Sequence, residues 1–342
     1  MKTLKQIVFT EAYKAEYLAV GERDFNDLAP NEVAVKTVFS TVSAGTERAN
    51  FVGEKAVSVF SDAEFPFPRT VGYSSAGVVE AVGSAVKKVK VGDRVATYWG
   101  KHINYNILPE DNVVKIESDK VSFEEAAVAL IATFPLAALR KVNLEIGESM
   151  LVMGLGILGQ LAVMQARAAG AYPVIACDPV EERRNEAIRN GADYAFDPLD
   201  KDFAEKVKAV TGGGVKTAIE VTGLGVGLNE ALDCMAKLGR IALLGCTRSS
   251  DFSVDYYHKV HGPGITLVGA HTSARPDKES YPSYFTHEDD IKTVLRLCGG
   301  GRLPIKNLLK ETHRPSECQE VFTRLATDKN FPIGVQFDWR EE

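Results

Sequence analysis

One segment constrains this chain more than any other: Gly154-Leu155-Gly156-Ile157-Leu158-Gly159. It follows an apolar, strand-like run, ESMLVMG, and opens a helical one, ILGQLAVMQARAAG, which ends at Gly170. Glycines on this spacing, between a strand and a helix, have separate uses. Gly154 permits a tight turn, Gly156 lets a pyrophosphate approach the backbone, and Gly159 lets the helix pack on the sheet. The helix start at Ile157 and Leu158 then offers free N–H groups and a positive dipole end to phosphate. Asp178 closes the next strand-like run, YPVIACD, about 24 residues beyond Gly154. A carboxylate there accepts the hydroxyls of an adenosine ribose and repels a 2′-phosphate. The ligand this pattern predicts is NAD in preference to NADP. Arg183 and Arg184, just downstream, pull the other way, and Arg183 is counted with the expected cofactor-binding residues.

The flanking sequence supports the same fold. After Ser122, apolar runs alternate with amphipathic helical stretches: YPVIACD, VEERRNEAIRNG, DYAFDP, DFAEKVKAVTG, VKTAIEVTG, VGLNEALDCMAKLG, RIALLGC and ITLVGAHT. Buried strands alternating with helices predict a doubly wound parallel sheet of about six strands. Ser122 and Glu125 have capping-box spacing, and Pro135 predicts a break or kink in the helix that follows. Residues 1 to about 120 are different. Short β-branched runs such as EVAVKTVFSTVS, SAGVVEAVG and DRVATYW, separated by turn signals, predict a compact, barrel-like β domain. The tail is expected to return to that domain.

Composition narrows the class. With 342 residues, two domains are expected. A net charge of −6 argues against a nucleic-acid partner. No run of about 18 apolar residues exists and the first residues do not read as a signal peptide, so neither a membrane span nor export is expected. The five cysteines are scattered, with no C-x-x-C pair, as suits reduced thiols in a cytoplasm.

The β-rich first part, the mid-chain glycine motif and the returning tail together resemble the medium-chain dehydrogenase/reductase superfamily, the zinc alcohol dehydrogenases and quinone reductases. The segments VGYSSAGVVEAVG, VGDRV, NYNILP and AALRKVNLEIGESMLVMGLGILG carry the resemblance over essentially the whole chain. It implies an α/β fold: a GroES-like catalytic domain over 1–131, completed by 276–342, and a Rossmann dinucleotide-binding domain over 132–275. It also locates departures. Where zinc members have Cys-Gly-Ser/Thr-Asp, this chain has Ala44-Gly45-Thr46-Glu47. Where they have Gly-His-Glu, it has Gly72-Tyr73-Ser74, and the third ligand position falls near Leu130. A catalytic zinc needs about three ligands from Cys, His and carboxylate, and the lobe of four closely spaced cysteines that binds a structural zinc in many relatives is missing, so neither family zinc site is expected. By the same resemblance Thr46, Tyr73 and the Tyr98–His102 segment border the substrate cleft. Thr46 and Tyr73 are the expected hydrogen-bond donors to a substrate oxygen. His102 is the expected acid–base group, with Glu47 paired to Arg48 or another cation.

Three readings remain open. The first is a zinc-independent NAD(H) oxidoreductase of a secondary alcohol or ketone, a sugar or polyol among them. The second is an NADPH-dependent quinone or enone reductase. The third is a non-catalytic NAD(H)-binding protein. A small-molecule substrate and a homodimer or homotetramer are the expected partners, with the run ITLVGAHT extending a sheet across the subunit contact.

Overall fold

The computed structural model describes residues 1–55, 65–248, 250 and 252–342. The chain divides into two units. The first comprises residues 1–131, 291–301 and 305–342; the second comprises 132–290 and 302–304.

The first unit is β-rich. Its long strand Glu32–Thr41 pairs antiparallel with Ser74–Val82, with Tyr105–Pro109 and with the C-terminal strand Gly334–Asp338. The C-terminal strand pairs in turn with Leu309–His313, so the tail completes the seven-stranded sheet. A second sheet is built on the hairpin Lys2–Glu11 and Lys14–Arg23. Apolar side chains of both sheets and of the helix Cys318–Thr327 meet in one core, with Phe9, Phe51, Phe322, Phe337 and Trp339 fully buried. Phe9 packs edge-on against Phe51 and Phe322 at 5.2 and 4.7 Å, the arrangement aromatic quadrupoles favour.

The second unit is a six-stranded, all-parallel sheet. Its order is Tyr194–Phe196, Val174–Cys177, Met150–Met153, Val215–Glu220, Met235–Leu243 and Thr266–Gly269. Chain order therefore reverses between Met150–Met153 and Val215–Glu220. Ligands of such sheets bind at that switch point, beyond the strands' carboxyl ends. Met150, Leu151, Val152, Val174, Ile175 and Ala176 are all 0% exposed, as strands covered on both faces require.

Two sequence expectations are corrected. Pro135 does not break its helix; it lies inside Ala129–Lys141. The interruption comes earlier, where the short helix Phe123–Ala126 ends. That helix does begin with the expected capping box: the Ser122 side chain accepts from the Glu125 N–H, and Glu125 accepts from the Ser122 N–H. The tail rejoins the first unit at Ile291 rather than at 276. The reason is Asp290, wholly buried between Arg140 and Arg275 of the second unit at 3.0 and 3.1 Å. Breaking either buried pair would leave an uncompensated charge, so residues 276–290 stay with the second unit.

Candidate active site

In the first unit the candidate residues gather around the helix Ala44–Phe51. Ser43 precedes its first turn. The Tyr73 hydroxyl donates to the Ser43 hydroxyl oxygen. The Ser43 backbone N–H donates to Glu47 Oε1 at 3.1 Å. Glu47 Oε2 lies 3.0 Å from His102 Nε2, and His102 Nδ1 lies 2.7 Å from Ser40 Oγ. The Trp339 indole N–H, which can only donate, reaches the same Ser40 oxygen at 2.8 Å. Ser40 Oγ accepts from Trp339 and keeps both a lone pair and a proton with which to meet His102 Nδ1. An ionised Glu47 can only accept, and His102 Nε2 faces it as the donor.

The network corrects the expected roles. His102 is 0% exposed and Glu47 1%. With both ring nitrogens engaged and no exposed surface, His102 does not reach a substrate. Glu47 pairs with His102, while Arg48 lies 3.9 Å from Glu54. Gly72, next to Tyr73, has a φ of +86°, and a Cβ there would stand 2.4 Å from the His102 backbone nitrogen. Only glycine lets this segment lie on His102. The buried pair thus supports both members of the hydroxyl pair, Ser43 through its N–H and Tyr73 through Gly72. Ser40 and Trp339 escaped the sequence reading because their partners lie far away along the chain, and Ser43 because the hydroxyl it meets, that of Tyr73, is 30 residues on.

Thr46 is half-exposed in the helix's first turn, and Tyr73 is half-buried with its ring 5.6 Å from that of Trp99. Trp99 has a φ of 58°, left-handed backbone that costs a bulky residue on the order of 1–3 kcal/mol. Its N–H is tied to the Tyr73 carbonyl at 2.9 Å. Tyr98 is buried, its hydroxyl donating to the Asp111 carbonyl. The positions compared above with metal ligands bring a methyl from Ala44, the Tyr73 phenol and the buried isobutyl of Leu130. Among the described residues, no group of three or more His, Cys, Asp or Glu is placed to hold a metal ion.

In the second unit the glycine turn lies at the switch point. Gly154 has a φ of +96°, and a Cβ there would meet Thr222 at 2.9 Å. A Cβ on Gly159 would lie 1.9 Å from the Gly154 carbonyl oxygen, so helix Ile157–Ala168 packs on the turn only with glycine. Gly156 is the N-cap, and nothing lies within 4 Å of where its Cβ would stand. This open space beside the helix start, where the Ile157 and Leu158 N–H groups begin the helix, fits a pyrophosphate. Opposite, Glu220 is 3% exposed and accepts the Thr222 and Gly223 N–H groups at 2.7 and 3.1 Å, shaping the facing loop. Burial holds its carboxyl above the ordinary range against those bonds.

Asp178 stands where predicted, but its carboxylate is already engaged. Oδ2 accepts the Leu155 N–H at 2.8 Å, Oδ1 accepts the Val180 N–H at 2.9 Å, and the residue is 4% exposed. Arg183 approaches Oδ2 at 3.8 Å. Arg184 turns inward to the carbonyls of Asp178 and Pro179 and to Asp197, at 2.7, 3.0 and 3.2 Å. Of the two arginines, Arg183 is the one beside the Asp178 carboxylate.

These two halves are those of an alcohol dehydrogenase-type oxidoreductase, and comparison with known proteins agrees. Residues 29–118 match the alcohol dehydrogenase GroES-like domain, and residues 158–287 match the zinc-binding dehydrogenase domain. L-threonine 3-dehydrogenase of Thermococcus kodakarensis is 30% identical over 262 residues, 68% of this chain and 73% of that protein. D-guloside 3-dehydrogenase of Escherichia coli is 27% identical over 359 residues, 98% of this chain and 100% of that protein. The structure of 2R,3R-butanediol dehydrogenase from Bacillus subtilis superposes with a TM-score of 0.82 at 21% identity, covering 98% of this chain and 99% of that one. The chain belongs to the medium-chain dehydrogenase/reductase superfamily, among the zinc alcohol dehydrogenase-like proteins, a family of NAD(P)-dependent enzymes, and is an oxidoreductase acting on alcohols. Among the described residues, no helix is long and apolar enough to cross a membrane.

Proposed function

We propose that this enzyme transfers hydride between NAD(H) and a secondary alcohol or its ketone, on a polyol or sugar-like substrate, without zinc. The observation that carries the reading is the hydroxyl pair Tyr73–Ser43 beside Ala44, at positions where relatives by resemblance hold their metal. Ala44, Tyr73 and Leu130 offer no thiolate, imidazole or carboxylate, and a catalytic zinc takes about three such ligands. These residues do not fit that metal, and no step runs through it. The two relatives named for a 3-dehydrogenase activity support an interior, secondary hydroxyl as the group oxidised.

Gly154, Gly156 and the helix start at Ile157 would hold the cofactor's pyrophosphate, and the nicotinamide would supply or accept the hydride. In the reducing direction, negative charge develops on the substrate oxygen as hydride reaches carbon. With substrate bound, the Tyr73 O–H turns to that oxygen and the Ser43 O–H donates to Tyr73 in its place, with Thr46 as a third hydroxyl on the first turn of the neighbouring helix. The proton that completes the alcohol leaves Tyr73 Oη and is replaced from water; oxidation runs these transfers backward. A preorganised donor at such an oxygen is worth roughly 10²–10³ in rate. Asp178, each of whose oxygens keeps a lone pair beyond the backbone N–H it accepts, supports NAD over NADP by its place at the end of the strand after the glycine turn. Arg183, 3.8 Å from that carboxylate, is the one observation favouring the second reading, an NADPH-dependent quinone or enone reductase. A homodimer or homotetramer is proposed through the edge strand Thr266–Gly269, whose Leu267 is 40% exposed; a monomeric mass in light scattering would refute it.

The test is metal analysis of the purified protein, with NADH and NADPH titrations of the same sample. Tighter NADH binding and sub-stoichiometric zinc are expected. Stoichiometric zinc, or tighter NADPH binding, overturns the corresponding half of the reading.

A further inference from the structure

Helix Ile157–Ala168 is buried along most of its length, and one of its buried positions is a polar amide: Gln160, 0% exposed. An amide taken out of water costs free energy unless its bonds are made, so the partners of Gln160 deserve a functional reading. Its Nε2 donates to the Arg183 carbonyl at 2.8 Å and, longer, to the Leu155 carbonyl at 3.4 Å. Its Oε1 accepts from Asn190 Nδ2 at 3.0 Å. Two carbonyls on one side and an amide N–H on the other fix the orientation of the Gln160 side chain.

These partners are not scattered. Arg183 lies in the first turn of the helix Glu181–Arg189, and Asn190 is the C-cap of that helix. Residues seven apart lie on one face, so a single side chain holds the helix at both ends. Leu155 belongs to the glycine turn, and its N–H is the one that binds Asp178 Oδ2 at 2.8 Å. The turn, the ribose-side carboxylate and the helix carrying Arg183 are therefore one hydrogen-bonded unit, with Gln160 beneath it.

We propose that Gln160, braced by Asn190, is a positioning residue for the adenosine end of the dinucleotide site, and that it acts by fixing where Arg183 stands beside Asp178. The inference rests on the reading that this unit binds NAD(H). Replacing Gln160 with leucine keeps the bulk and removes all three bonds. It leaves the Arg183 carbonyl without its amide donor and frees the helix to shift. The expected loss is about tenfold in ADP-ribose affinity, equivalent to about 1.4 kcal/mol.

The test is calorimetric titration of ADP-ribose and NADH into wild type, Q160L, R183A and the double variant. Q160L and R183A should each weaken ADP-ribose about tenfold. The double variant should bind no more weakly than R183A alone, because non-additivity marks residues acting through one another. A purely packing role for Gln160 would give additive losses, and additivity overturns the proposal, as does wild-type affinity in Q160L. Should Q160L fail to fold, N190A removes only the brace and is expected to weaken ADP-ribose by about threefold; unchanged affinity there overturns the proposal too. A flat wild-type titration overturns the dinucleotide reading itself, whereas a binding wild type with an indifferent Q160L overturns this inference alone.

Discussion

Replacing Glu47 with alanine should unfold the first unit far more readily, and replacing it with glutamine should not. Glu47 is 1% exposed and holds two groups, the Ser43 N–H at 3.1 Å and His102 Nε2 at 3.0 Å. Truncation strands both donors in the interior, at about 1–3 kcal/mol each. The sum, about 4 kcal/mol at mid-range, sets the expected loss at roughly 3–5 kcal/mol. Glutamine keeps an oxygen for Ser43 and offers its NH₂ to His102, whose proton then moves to Nδ1 and toward Ser40. That exchange preserves every bond and should cost about 1 kcal/mol. The assay is urea unfolding followed by tryptophan fluorescence. The chain's two tryptophans, Trp99 and Trp339, both lie in the first unit, so the signal reports that unit. With a urea slope of about 2 kcal/mol/M, E47A should lose about 1.5–2.5 M in midpoint and E47Q about 0.5 M. A fall of under 0.5 M in E47A would refute the reasoning, as would equal falls in both variants.

Three further outcomes follow from the same geometry. Y73F and S43A should each lower kcat by roughly 10²–10³ while leaving the NADH dissociation constant unchanged; a loss confined to NADH binding would contradict the hydroxyl-pair assignment. G159A places a methyl 1.9 Å from the Gly154 carbonyl oxygen. Overpacking of about 1–3 kcal/mol at the turn should weaken NADH about ten- to a hundredfold, and a titration matching wild type would refute this. Burial, then Arg275, lowers the His287 pKa from 6.5 to about 3. The unfolded chain therefore takes up a proton between those values that the folded chain refuses. Stability from this group is complete above pH 6.5 and lost as pH falls toward 3, by about 2 kcal/mol at pH 5. Unfolding midpoints at pH 7 and 5 for wild type and H287Q check it, the variant showing the smaller pH dependence.

The parts of this molecule that could be read from sequence are those whose physics is local. The glycine turn, the strand before it and Asp178 after the next strand lie within a short stretch, and each follows from a backbone or hydrogen-bond need met nearby. The Ser122–Glu125 box is legible for the same reason. Pro135 misled because a proline's cost is local but its toleration is not: Ala129–Lys141 is held by its surroundings, with Ala129, Ile131, Ala132 and Ala138 at 0% exposure. His102 misled more instructively. Within the polar stretch Lys101–Asn106 it looks like a loop histidine facing solvent or substrate. What buries it comes from elsewhere in the chain: Glu47, 55 residues away, Ser40, 62 away, and through Ser40 the indole of Trp339. A buried polar side chain is defined by its partners, and those are supplied by strand pairing that brings Gly334–Asp338 alongside Glu32–Thr41. The same logic separates the two candidate roles of a polar residue near a site. Tyr73 and Thr46 keep exposed surface and can meet a substrate, whereas His102 and Glu47 have given theirs up. What this buried pair can still determine is the position of Ser43 and of the Gly72–Tyr73 backbone, which is why the E47A and E47Q comparison bears on catalysis as well as on stability.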